Sequence, residues 1–135
     1  MNFNKKFLIC GGDLRQLKMA ESLAADGFDT AVYGFGNKAE FEGSVTVMHD
    51  IKEALEGRDV VILPLPCSSD DETINMPMDD SKLAITDLFK YITRNQVVVA
   101  GKVSAKVRKL AELYNIVIMD YFDREELTVL NAIPI

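Results

Sequence analysis

The chain has 135 residues, 48% of them hydrophobic and 27% charged, with a net charge of −6. That length suits one domain with a real core, and the composition is neither that of a disordered chain nor of a fibrous one. The acidic balance argues against nucleic acid or an anionic membrane as main partner, because phosphate binding needs an excess of Lys and Arg; a local cationic pocket stays compatible with it.

Residues 6–10 form a short, uninterrupted apolar run, the pattern of a strand buried on both faces of a parallel sheet. Gly11 and Gly12 end it, and Asp13, Leu14, Arg15 and Gln16 open a helical pattern. Leu14, Leu17, Ala20, Leu23, Ala24 and Phe28 recur at helical spacing, with Gly27 as the stop. Residues 30–33 make the next strand and close a βαβ unit. Gly34, Phe35, Gly36 and Asn37 form a turn, and 38–43 a polar connection.

Residues 45–48 are a brief strand. Asp50 with Glu53 three positions on is a capping box for a short helix that points Ile51, Ala54 and Leu55 inward and ends at Gly57. Residues 59–63 are the strongest strand, cut off by Pro64 and Pro66. The stretch 64–81 has no clear period, and loops of that length are usually functional or mobile. Its acids, Asp70, Asp71, Glu72, Asp79 and Asp80, match no calcium-loop spacing and suggest a solvated, mobile loop. A helix over 83–92, a strand over 96–100 ending at Gly101, a helix over 103–114 and a last strand over 116–119 follow. Asp123 caps a further helix with Glu126 at its third position.

Strands alternating with helices indicate a three-layer α/β domain over 1–135, Rossmann-like or flavodoxin-like, with a doubly wound, mostly parallel sheet of five or six strands. Ligands in such sheets bind beyond the carboxyl ends of the strands, here 11–15, 34–37, 64–69 and 101–104. Cys10 and Cys67 are the only cysteines and read as reduced thiols. The first apolar run is too short for a signal peptide, and no stretch approaches the ~20 apolar residues of a spanning helix, so a cytoplasmic protein is expected.

A dinucleotide site at the first turn is the obvious candidate. Its fingerprint needs small residues where pyrophosphate meets backbone and where the helix packs on the strand. Asp13 would repel a pyrophosphate, Gln16 stands where the last small residue belongs, and no acid ends the second strand to take a ribose hydroxyl. No cofactor is expected at this turn. Arg15 suits a carboxylate, which a guanidinium grips with two parallel hydrogen bonds. Asp13 either orients Arg15 or accepts from a ligand amine or hydroxyl; the plainer alternative is that Asp13 only caps the helix and Arg15 is solvated. Cys67 has no nearby His to make it a nucleophile, and His49, the single histidine, flanks the second helix cap. There is no zinc pattern, nucleophile elbow or P-loop, and catalytic residues stay unassigned. A response-regulator receiver is excluded because no phospho-acceptor Asp ends the third strand.

The run Gly11-Gly12-Asp13-Leu14-Arg15-Gln16 resembles the N-terminal domain of the dipicolinate synthase A-subunit. So do Val60-Val61-Ile62-Leu63-Pro64-Leu65-Pro66, Val98-Val99-Ala100-Gly101 and Leu127-Thr128-Val129-Leu130-Asn131-Ala132-Ile133-Pro134. The resemblance implies the substrate-side domain of a sporulation oxidoreductase that oxidises a dihydrodipicolinate-type cyclic dicarboxylate, a lysine-pathway intermediate, to dipicolinic acid. It implies NAD(P) bound mainly by a second, nucleotide-binding domain that follows in the family and is absent from this chain, so that this domain alone is expected to be inactive. The helix from Asp123 would then form part of the hinge. Implied partners are the dicarboxylate and a second synthase subunit; a homodimer is compatible. With this resemblance the candidate substrate-binding set is Gly11, Gly12, Asp13, Arg15 and Gln16, joined at neighbouring strand ends by Pro66, Ser68, Gly101 and Lys102. Lys102 as a carboxylate partner competes with a solvated lysine in a helix's first turn, and Ser68 as a donor competes with a simple loop residue. The rival function is a non-catalytic small-molecule binding or interaction module on the same fold.

Overall fold

Leu8, Ile9 and Cys10 are wholly buried although successive side chains of a strand point to opposite faces, so the first strand must be covered on both sides. The computed structural model, which describes residues 5–36 and 40–120, shows how. Six strands, β1 (Lys6–Cys10), β2 (Asp29–Tyr33), β3 (Val45–Met48), β4 (Val60–Ile62), β5 (Val97–Ala100) and β6 (Val117–Asp120), pair in parallel in the order β3-β2-β1-β4-β5-β6. Leu8 stands between Ala31 and Val61 in register, with β1 at the centre. Of the two doubly wound arrangements, this is the Rossmann order, and its direction reverses between β1 and β4.

The helices are α1 (Leu14–Ala25), α2 (Ile51–Leu55), α3 (Ile85–Phe89) and α4 (Ala105–Leu113). One core lies between α2, α3 and α4 and the sheet face carrying Leu8, Cys10, Ala31, Val61, Leu63, Val98 and Ala100. The other lies under α1, where Leu17 and Ala20 meet Ile9, Val32, Ile62 and Phe35. Hence the three layers expected from the alternation of elements.

Element ends differ from the periodic pattern where specific hydrogen bonds intervene. The helix expected over 83–92 is only α3, because the backbone before it is drawn into an antiparallel bridge between Thr73 and Ala84. There the Leu83 carbonyl accepts from Ile74 N at 2.9 Å and Ile85 N donates to the Glu72 carbonyl at 2.8 Å. Gln96 is a buried clamp rather than a strand residue. Its amide donates to the carbonyls of Leu55 at 2.6 Å and Arg58 at 2.9 Å, and its Oε1 accepts from Thr93 N at 2.9 Å. The Asp50 cap of α2 forms as expected, with Oδ2 accepting from Glu53 N at 3.0 Å. Cys10 and Cys67 are unpaired and buried. Among the described residues no helix is long and apolar enough to cross a membrane. Asn37, the helix expected from Asp123 and the stretch 127–134 lie outside the described residues.

Candidate functional site

The reversal point between β1 and β4 is where a doubly wound sheet opens a crevice at its carboxyl edge. The turn after β1 forms one side. Gly11 (φ +77°) donates its N–H to the Tyr33 carbonyl at 2.7 Å, and Gly12 (φ +106°) donates to the Asn75 carbonyl at 3.0 Å. These amides are therefore engaged within the chain. A side chain at Gly12 would run into Gln16, which fills the space above it.

Asp13 both caps and orients. Its Oδ1 accepts from Arg15 N at 2.9 Å, the N-cap bond of α1, and its two oxygens take Arg15 Nε at 3.2 Å and Nη2 at 3.1 Å. The hydrogen bonds from the Arg15 side chain, then from its backbone, hold the Asp13 carboxyl below its ordinary pKa. Arg15 Nη2 also reaches across the crevice to the Leu65 carbonyl at 3.2 Å. The guanidinium is thus fixed at three points while its side chain stays 65% exposed.

The other side of the crevice is the corner that follows β4, where the Leu65–Pro66 peptide is cis. Cys67 N donates to the Gly101 carbonyl at 3.1 Å, Asn75 N to the Cys67 carbonyl at 2.9 Å, and Asn75 Nδ2 to the Pro66 carbonyl at 3.3 Å. Farther along, Asp79 Oδ2 accepts from Gly36 N at 2.9 Å and Oδ1 from the Ser81 hydroxyl at 2.6 Å. Asp70 gathers Thr73 N at 2.8 Å, Glu72 N at 2.9 Å and the Thr73 and Ser68 hydroxyls. Those bonds, the Thr73 and Glu72 amides foremost, push the Asp70 carboxyl far below the usual carboxylate range. Asp71 accepts from the Ser104 hydroxyl at 2.8 Å, and Ser104 caps α4 through Val107 N. Asp70, Glu72 and Asp80 of this loop are exposed, as expected of solvated acids, and Asp70, Asp71 and Asp79 in addition each accept for a turn or an anchor.

The remaining candidates spread along the same edge. Gln16 is 3% exposed. It lines a groove of about 290 Å³ with Arg15, Met19, Ile62, Leu65 and Val99. Pro66 stands at the crevice, its carbonyl held by Asn75. Gly101 is buried with its carbonyl committed to Cys67, and the Ser68 hydroxyl is committed to Asp70 at 3.1 Å. Lys102 is exposed at the end of β5 in a left-handed conformation, φ +51°. The structure therefore brings Asp13, Arg15, Gln16 and the Leu65–Pro66 corner together, with Lys102 and Ser68 farther along the edge. Reading the sequence missed Asn75, whose only signal was an Asn in a long loop.

Burial pushes the Cys10 thiol up to about 12 and, with Asp120 nearby, the Cys67 thiol up to about 11. Both are protonated at neutral pH, which keeps Cys67 out of nucleophilic chemistry. His49 lies exposed beside the α2 cap, near enough to Asp79 to favour its ionised form. A larger cleft, about 430 Å³ between Arg58, Tyr91, Asn95 and Gln96, lies at the opposite edge of the sheet. Ligand sites of this architecture form at the carboxyl edge, so the smaller groove is the candidate.

The fold raises the question of a dinucleotide, and the residues present do not fit one. A Cβ on Gly11 would stand 2.9 Å from the Asn75 carbonyl oxygen and 2.9 Å from Met76 Cγ, and one on Gly34 would meet the Met76 sulfur. The close approach that glycines grant to a pyrophosphate is here taken by the chain itself.

These features define a Rossmann-like domain whose reversal point carries a braced arginine. The chain belongs to the family of dipicolinate synthase A-subunit N-terminal domains, which matches residues 6–122. Two solved structures are similar. The A chain of dipicolinate synthase from Bacillus subtilis is 21% identical with a TM-score of 0.76, over 97% of this chain and 44% of that one. The corresponding dipicolinate synthase A-subunit from Bacillus halodurans is 20% identical with a TM-score of 0.78, over 99% of this chain and 46% of that one. The chain thus spans less than half the length of either relative. No curated protein matches it in sequence.

Proposed function

We propose that this is the substrate-side domain of a dipicolinate synthase-like oxidoreductase, which holds a dihydrodipicolinate-type cyclic dicarboxylate for oxidation to dipicolinate during sporulation. The observation that carries the reading is Arg15, held by Asp13 and the Leu65 carbonyl across the reversal point yet 65% exposed. A guanidinium so oriented has lost most of its rotamer freedom before a ligand arrives, which is what a carboxylate clamp requires.

The groove beside it suits the rest of such a molecule. Met19, Ile62, Leu65 and Val99 offer apolar walls to a ring, and the buried Gln16 amide offers a donor and an acceptor to the ring edge. Lys102 supplies a second cation on the same edge for a second carboxylate. Asp13 limits affinity as well as giving order, since an incoming carboxylate shares Arg15 with it. The oxidant in this reading would be NAD(P) held by a second domain facing this edge, and it would supply a hydride acceptor while the accompanying proton leaves to solvent. A cytoplasmic setting and a second synthase subunit complete the proposal; a homodimer is compatible with it.

Calorimetric titration of dipicolinate onto the chain and onto Arg15→Ala tests it. Saturable binding by the unaltered chain, weakened about tenfold in the variant with little change in melting temperature, is expected from the loss of charge-assisted hydrogen bonds. Equal affinities would remove Arg15 from the site.

A further inference from the structure

The first two strand ends are built like a nucleotide cradle, with left-handed glycines at 11, 12, 34 and 36. One segment of this chain meets all four. Gly12 N–H donates to the Asn75 carbonyl, Gly36 N–H to the Asp79 carboxylate, and Met76 lies against both Gly11 and Gly34. Carbonyl and carboxylate oxygens thus accept from backbone amides where phosphate oxygens accept in a nucleotide-binding turn.

Asn75 does more than fill space. Its carbonyl takes Gly12 of the first turn, its N–H takes the Cys67 carbonyl, and its side-chain amide takes the Pro66 carbonyl at 3.3 Å. It is a residue through which both walls of the crevice are tied, and the Leu65 carbonyl that braces Arg15 belongs to the corner it holds.

We infer that residues 75–79 are the resident occupant of the strand-end cradle, and that Asn75 is a positioning residue for Arg15 through the Leu65–Pro66 corner. The glycines serve this intramolecular ligand, and the crevice open to small molecules is displaced to the α1 side, where Arg15 and Gln16 stand. The consequence for substrate affinity rests on the function proposed above; the occupancy and the bracing do not.

Two measurements on the 135-residue chain test the inference. In the first, NAD⁺ is titrated while the amide signals of Gly11, Gly12 and Gly36 are followed by NMR. They are expected to stay in place up to millimolar nucleotide, and a saturable shift of these signals overturns the occupancy. In the second, Asn75→Ala removes the side-chain donor, and Asn75→Asp removes it while keeping the volume. Both are expected to speed exchange of the Arg15 Nε–H about fivefold, the weight of one neutral hydrogen bond, and to weaken dipicolinate binding by about the same factor. Unchanged exchange in both variants overturns the positioning role whatever the affinity does. Faster exchange in a chain that never binds dipicolinate sinks the substrate reading and leaves the positioning role standing.

Discussion

The turns after β1 and β5 solve the same problem in different ways. Each follows a buried strand at the carboxyl edge, begins with glycine and ends in a capping side chain, Asp13 for α1 and Ser104 for α4. The loop that leaves β4 touches both. At the first turn it arrives as backbone, the Asn75 carbonyl on Gly12, so closely that no Cβ fits at Gly11. At the second it arrives as Cys67 N on the Gly101 carbonyl and as the Asp71 side chain on Ser104, and Lys102 holds a left-handed φ of +51° there. Glycines after a Rossmann strand therefore report a close approach by something, and the partner has to be found before it is called a nucleotide.

The largest break in this contrast is expected at Gly11. Gly11→Ala puts a methyl group against the Asn75 carbonyl and an L-residue at positive φ, which together destabilise by about 3 kcal/mol. Thermal unfolding should register a drop of roughly 10 °C. Next in size is the tenfold loss of dipicolinate affinity in Arg15→Ala, with the fold intact.

Lys102 sharpens the comparison from the other side. Lys102→Ala and Lys102→Gly both lose the ammonium group, but only glycine relaxes the left-handed backbone, so the glycine variant should be the more stable by about 1 kcal/mol in urea melts. Dipicolinate affinity should fall equally in the two if the ammonium group meets the second carboxylate.

The smallest effect concerns acid. The folded Asp70 carboxyl titrates below its unfolded value of about 3.9. Its contribution is therefore complete above that value and declines as pH falls through the lower folded one. Protection of the Thr73 amide, taken relative to its intrinsic exchange rate, should hold at pH 4 and fall only below it, and Asp70→Asn should abolish that dependence.

Much of the scaffold was legible because it rests on local chemistry. Continuous apolar runs marked β1, β4 and β5, the Asp50 and Glu53 pair marked the start of α2, and Gly27 marked the end of α1. The turn at Gly11 to Gln16 was legible too, with Asp13 as the cap of α1. The loop from 64 to 81 was not. Its course depends on Asn75 meeting Gly12, Asp79 meeting Gly36 and Asp71 meeting Ser104, pairs far apart in the chain that no periodicity announces. Gln96 escaped for the same reason: an amide at the start of a strand has an ordinary look until the carbonyls of Leu55 and Arg58 are seen beside it.

The bond from Gly12 to the Asn75 carbonyl also bears on the order in which the chain assembles. It joins the first turn to a loop emerging from the fourth strand, so β4 must reach its place beside β1, across the intervening chain, before the bond can close. Contacts of such long range form late, after the entropy of closing the intervening chain has been overcome. Until that bond closes, the corner that carries the Leu65 carbonyl lacks this tie to the first turn, and Arg15 keeps only its local hold on Asp13.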